Sequence, residues 1–173
     1  AEIKVVLTKN AKKFVTPLSI TSLTQNNVYE NLFNPSNEEE MDHISLSRWS
    51  DVIIICPATA NTMSKLSQGN AEALASAVTL ASDKNIILVP AMNVRMWAHQ
   101  ATQQNFLKLK GFGYEFIGPE TGDMACGEYG EGKMSDPIEI ISYLNKFFSK
   151  KKINIQNQLK AIVTAGPTKE YID

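Results

Sequence analysis

Two runs of branched apolar residues, each stopped by a proline, constrain this chain more than any other feature. Val52-Ile53-Ile54-Ile55-Cys56 ends at Pro57, and Ile86-Ile87-Leu88-Val89 ends at Pro90. Neither run alternates with polar residues, so each predicts a strand covered on both faces. Proline cannot donate to a ladder, which sets a turn at the end of each run. Ile3-Lys4-Val5-Val6-Leu7-Thr8, Tyr114 to Ile117 and Ala161-Ile162-Val163-Thr164 read as further strands. Helical stretches lie between them: Pro17 to Leu23, residues 61–81, Met96 to Lys110 and Pro137 to Phe148. In the second, Met63, Leu66, Ala73, Leu74, Ala77 and Leu80 recur at three- and four-residue spacings. Residues 25–42, Asn-rich and then acidic at Glu38-Glu39-Glu40, read as an irregular excursion, and Gly118 to Gly132 as a glycine-rich loop. Strand–helix alternation predicts an α/β fold: a doubly wound, Rossmann-like or flavodoxin-like parallel sheet with helices on both faces.

In such sheets ligands bind outside the carboxyl ends of the strands. The unusual residues gather there: Thr8, then Pro57-Ala58-Thr59-Ala60-Asn61-Thr62, then Pro90-Ala91-Met92-Asn93. That coincidence predicts one composite site. The chain also opens straight into a strand, with no strand–turn–helix unit before it. In a doubly wound fold that unit normally supplies the central strand and the phosphate-binding turn. The sequence is therefore expected to lack its first unit, so that the sheet shows either a gap or a compensating strand from elsewhere.

Composition removes several function classes. The 173 residues suit one medium domain, and the formal net charge of -1 comes without a long basic run. Nucleic acid is not an expected partner, because phosphate binding needs clustered Lys or Arg. Lys146 and Lys150-Lys151-Lys152 read as a solvated helix end and linker. No apolar stretch is long enough to span a bilayer, so no membrane partner is expected. Two cysteines, Cys56 and Cys126, cannot make a disulfide framework, which fits a reducing cytoplasm.

Three stretches carry a family resemblance. Pro57 to Thr62, Pro90-Ala91-Met92-Asn93-Val94-Arg95-Met96-Trp97 and Ala125-Cys126-Gly127-Glu128-Tyr129-Gly130-Glu131-Gly132-Lys133-Met134 resemble motifs of the homo-oligomeric flavin-containing cysteine decarboxylases. With His43-Ile44 and Thr8 to Leu18 the likeness covers residues 1–149, and it implies a flavin-dependent decarboxylase domain using FMN. The tail from Val163 to Asp173 resembles the opening strand and loop of a phosphopantothenate–cysteine ligase domain, reached through a linker at 150–159. That order implies the phosphopantothenoylcysteine decarboxylase of a bifunctional coenzyme A biosynthesis protein, with Mg and CTP needed only by a ligase domain absent here. In the family's usual strand order, Ile3 to Leu7 and Val52 to Cys56 flank the missing central strand.

Each site residue has a plainer reading beside the implied one. His43, by position a surface loop histidine, becomes the catalytic base by resemblance; a near-neutral pKa suits a proton acceptor. Asn93 by position caps a helix; the family uses it to hold the substrate carboxylate. Thr59 and Thr62 serve as caps or, with Ala60, Asn61 and Ala91, bind the flavin. Thr8 is the candidate phosphate contact if the sheet is continuous. Met96 and Met134 are packing residues by composition and substrate neighbours by resemblance, as is Ala125. Cys56 belongs to the core and His99 to a helix. Cys126 sits among glycines with Asp123, Glu128 and Glu131 nearby, charges expected to keep its thiol protonated and able to donate a proton. The family assigns it that role.

The implied reaction removes CO2 from 4'-phosphopantothenoylcysteine to give 4'-phosphopantetheine. A cysteine carboxylate has no electron sink, so the thiol must first be oxidised to a thioaldehyde, and the resulting enethiolate re-reduced. Side chains cannot carry hydride, so a cofactor must. A peptidyl-cysteine decarboxylase, a flavin prenyltransferase or a non-catalytic regulatory relative are the alternatives on the same scaffold. Resemblance also implies a homo-oligomer, a trimer or a dodecamer of trimers.

Overall fold

The computed structural model describes residues 1–32, 41–124, 126–150 and 160–165. Its elements run β1 (Glu2–Leu7), α1 (Pro17–Thr24), β2 (Val28–Tyr29), α2 (Asp42–Trp49), β3 (Val52–Ala58), α3 (Ala60–Ser67), α4 (Leu74–Leu80) and β4 (Asn85–Pro90). They continue with α5 (Val94–Ala98), α6 (Gln100–Gly111), β5 (Glu115–Phe116), β6 (Glu120–Asp123), β7 (Tyr129–Lys133), α7 (Pro137–Lys150) and β8 (Lys160–Ala165).

Six strands make one parallel sheet in the order β2-β1-β8-β3-β4-β5. The two proline-stopped runs lie side by side as β3 and β4, with Ile53 opposite Ile86 and Ile55 opposite Leu88. Successive residues serve opposite faces, as strand geometry requires. Ile53, Ile55, Leu88 and Ile162 pack with Leu46, Met63, Leu66, Val78, Trp97 and Leu109 from α2 to α6. Val52, Ile54, Ile87 and Val89 face the other way, against α7. Helices therefore cover both faces, as the unbroken apolar runs predict. No helix among the described residues is long and apolar enough to cross a membrane.

The sheet has no gap. Between β1 and β3 stands β8, paired along its length with β1 (Val5 opposite Val163) and with β3 (Ile54 opposite Val163). Its sequence suits that seat, since Ala161, Ile162 and Thr164 are all buried. Asp51 fixes where the strand enters: its N–H donates to the Lys160 carbonyl at 2.9 Å, and its carboxylate accepts from the Lys160 N–H at 2.9 Å. The run expected to open a second domain thus lies inside this sheet, as a compensating strand. The remainder of that tail, Gly166 to Asp173, and the linker at 151–159 lie outside the described residues.

Other expectations are corrected by local chemistry. The helix expected over 61–81 is two, α3 and α4, because the chain leaves α3 through Gly69 at φ +72, a conformation that glycine adopts without steric cost. The helix expected from Met96 to Lys110 is also two. His99 breaks it with extended backbone, and its Nδ1 then caps α6 by accepting from the Ala101 N–H at 3.2 Å. The glycine-rich loop is an antiparallel hairpin of β6 and β7. The described part of the irregular excursion holds β2 and the start of α2, so His43 lies in a helix rather than a loop.

On the far face, α7 presents Ile140, Tyr143, Leu144, Phe147 and Phe148 to the sheet at helical spacing. Tyr143 donates its hydroxyl hydrogen to Glu115 at the sheet edge. Partial burial, and then the Glu115 carboxylate, push this phenol up to about 12. Because the folded value lies above the unfolded value of ~10, the contribution is complete below pH ~10 and fades as pH rises through the folded value. Tyr143→Phe is expected to cost about 0.5 kcal/mol at pH 8, solvent screening so exposed a pair. That lowers Tm by roughly 1–2 °C. The difference should be largely gone at the folded value; melts at pH 8 and pH 12 check it.

Candidate active site

The strands end together, and a cavity of about 1060 Å³ opens over their carboxyl ends. Ligand pockets commonly hold roughly 300–1,000 Å³, so this one has room for a cofactor and a substrate together. Thr8 and Thr164 contribute from β1 and β8, Pro57 and Thr59 from the end of β3, and Ala91 to Asn93 from the end of β4. The hairpin closes the remaining side with Cys126, Gly132 and Met134.

Each wall has a local cause. Thr59 caps α3, its Oγ1 accepting from the Thr62 N–H at 3.2 Å and lying 3.0 Å from the Thr62 hydroxyl. A helix start leaves its first N–H groups without intrahelical acceptors, here those of Ala60 and Asn61. Thr8 accepts from the Ala11 N–H at 3.3 Å and so turns the chain after β1. Thr59 and Thr62 are therefore caps that also line the cavity. Cys56 lies 3.7 Å from the Met134 sulfur, and burial pushes its thiol up from the ordinary value. It stays a core residue, as expected.

The hairpin docks through glycines. Met92 donates its N–H to the Gly132 carbonyl at 3.0 Å, and a Cβ on Gly132, at φ +142, would strike the Met92 carbonyl oxygen. A Cβ on Gly130 would come within 2.8 Å of Val94. This close approach carries Cys126 to Asn93. The Asn93 amide then divides its work. Its Oδ1 caps α5 by accepting from the Arg95 N–H at 2.8 Å. Its Nδ2 lies 3.5 Å from the Cys126 sulfur and donates to Glu128. The two readings of Asn93, cap and carboxylate holder, thus fall on opposite ends of one amide. Of the three carboxylates near Cys126 in sequence, Glu128 takes the thiol hydrogen bond, at 3.9 Å.

Thr8, Thr59, Ala60, Asn61, Thr62, Ala91, Asn93, Met96, Cys126 and Met134 all line the one cavity. Ala125 lies outside the described residues. His43 does not line it; it sits in the first turn of α2, its Nδ1 buried with no hydrogen-bond partner among the described residues. Sequence reasoning missed Lys65, Ser76 and Thr164, which also line the cavity, and the contact of Arg95 with Glu128, Nε to Oε1 at 3.2 Å. For Lys65 and Ser76 the signal was only a helix face. Among the described residues, no group of three or more His, Cys, Asp or Glu could hold a metal ion.

The Flavoprotein family model matches residues 1–149. The chain belongs to that family. Its cavity fits a flavin: α3 offers N–H groups and hydroxyls for polar edges, while Pro57, Ala91 and Met92 offer apolar surface for a ring. The chain is 46% identical, over all 173 residues, to the coenzyme A biosynthesis bifunctional protein CoaBC of Haemophilus influenzae, covering 43% of that protein. It thus spans less than half the length of that curated relative. Among solved structures it is similar to a PPC decarboxylase mutant complexed with pantothenoylaminoethenethiol, with TM-score 0.75 and 32% identity over 86% of this chain and 84% of the other. It is likewise similar to the FMN binding protein AtHal3, with TM-score 0.75 and 31% identity over 88% and 85% of the two chains.

Proposed function

We propose that this domain catalyses the FMN-dependent decarboxylation of 4'-phosphopantothenoylcysteine to 4'-phosphopantetheine in coenzyme A biosynthesis. The observation that carries this is the meeting of Asn93 and Cys126, 3.5 Å apart, on a flavin-sized cavity. A carboxylate-binding amide and a proton-donating thiol are what such a substrate needs at adjacent points. FMN, when bound, supplies the hydride acceptor and donor that side chains cannot. Thr8, Thr59, Ala60, Asn61, Thr62 and Ala91 would hold it. The Asn93 Nδ2 binds the substrate carboxylate, Met96 and Met134 flank the substrate, and Cys126 returns a proton to the product. The family also places Ala125 beside the substrate.

His43 is the proposed base, yet it lies off the cavity of its own chain. We read it as serving the cavity of a second copy. Its Nδ1, without a partner among the described residues, supports that reading, as do the exposed apolar side chains of Phe14, Leu18 and Leu23 on and before α1 and of Met41 at the start of α2. A homo-oligomer, a trimer by family likeness, would cover them. The bifunctional relatives also support reading 160–173 as the passage towards a ligase domain, to which alone Mg and CTP belong, although its first six residues complete this sheet as β8.

Purified protein is expected to show flavin absorption and to release CO2 from 4'-phosphopantothenoylcysteine. Release from a peptide ending in cysteine, with none from that substrate, would transfer the reading to a peptidyl-cysteine decarboxylase.

A further inference from the structure

The reaction proposed above gives Glu128 no task, yet Glu128 stands at the centre of the polar contacts of the site. One carboxylate oxygen accepts from the Asn93 Nδ2 and from the Cys126 thiol, the latter at 3.9 Å. The other pairs with the Arg95 Nε at 3.2 Å. Because the Asn93 Oδ1 is engaged with the Arg95 N–H, Nδ2 is the end of that amide open to an acceptor from a ligand. Glu128 already sits on it.

We propose that Glu128 is a positioning residue that stands in for the substrate carboxylate. Without substrate, its carboxylate occupies the Asn93 amide. An arriving carboxylate displaces it, because two like charges on one amide repel. Once CO2 has left, Glu128 returns and takes the place of the lost group.

Three observations support a side chain that moves while its backbone stays. The Glu128 carbonyl accepts from the Met124 N–H at 2.9 Å, and the Gly127 N–H donates to the Met124 carbonyl at 2.9 Å, so the turn is held by its own backbone. The displaced carboxylate keeps a counter-charge in Arg95. The Arg95 side chain is 88% exposed and free to follow it. A single rotation of the Glu128 side chain therefore uncovers the amide without leaving a charge unpaired.

The inference rests on the reading of Asn93 as the carboxylate site, and the test separates the two. Binding to the flavin-loaded full-length protein is measured by calorimetry with two unreactive probes. The first, 4'-phosphopantothenoylserine, keeps the carboxylate but has a hydroxyl for the thiol; the second, 4'-phosphopantetheine, has no carboxylate. Glu128→Gln turns a charge-assisted contact into a neutral one of about half the strength. It is expected to tighten the first probe roughly ten-fold and to leave the second within about two-fold. Glu128→Ala should tighten the first probe at least as much. Equal changes for both probes, or looser binding of the first alone, would overturn the proposal and leave the substrate reading standing. Wild-type protein that binds neither probe would overturn both.

Discussion

Cys126→Ser is expected to release CO2 from 4'-phosphopantothenoylcysteine while forming almost no 4'-phosphopantetheine. The early steps need Asn93 and the cavity, which the substitution leaves in place. The last step needs a proton donor at position 126, and an alkyl thiol is in general a far stronger acid than an alcohol. Loss of a positioned general acid costs roughly 10²–10⁴-fold, so the incomplete product should accumulate, to about one equivalent per flavin under anaerobic conditions and beyond it where dissolved oxygen reoxidises the cofactor. Mass spectrometry would find it two hydrogens lighter than 4'-phosphopantetheine, as an enethiol. Serine still accepts or donates a hydrogen bond beside Glu128, so the hairpin should keep its seat and flavin absorption should persist. Normal yields of 4'-phosphopantetheine from the variant would remove Cys126 from the reaction.

Asn93→Asp should have the other large effect, and the division of labour within this amide makes it decisive. At the Oδ1 end, aspartate caps α5 as well as asparagine does, so the start of that helix should hold. At the Nδ2 end, a donor becomes an anion facing both Glu128 and the substrate carboxylate. Leaving a site charge opposed rather than paired costs about 3–5 kcal/mol, or roughly 10²–10⁴-fold in kcat/KM. Wild-type turnover in the Asp variant would reduce Asn93 to a helix cap.

The sheet core was legible because burial on both faces leaves an unmistakable trace, the unbroken runs of β3 and β4. The site followed from the same trace, since the residues just past those runs are bound to meet at one end of a parallel sheet. What stayed hidden depends on geometry that spacing does not record. Gly69 and His99 split two apparent helices, because apolar periodicity persists across a break that a single residue makes in the backbone. The hairpin of β6 and β7 reads as a loop, since its glycines are placed for close approach to Met92 and Val94 rather than for strand propensity. Arg95 and Glu128 look like surface charges until the hairpin folds over α5. The displacement of His43 from the cavity was invisible for a different reason. A resemblance names a role and does not record where the folded chain places the side chain.

The position of β8 bears on the order in which the molecule assembles. The described residues of β1 and β3 meet no ladder of one another; each pairs with β8. Glu2 thus finds its partner at Lys160, almost the full span of the chain. Contacts of such long sequence separation slow folding, because loop closure comes before any reward from pairing. Until β8 docks, the pair β1-β2 and the trio β3-β4-β5 are separate half-sheets, each with an open, apolar inner edge. Such edges invite pairing with other chains. On a ribosome, where residues emerge in sequence, both of these halves emerge before β8, and a chaperone that shields strand edges would act in that interval.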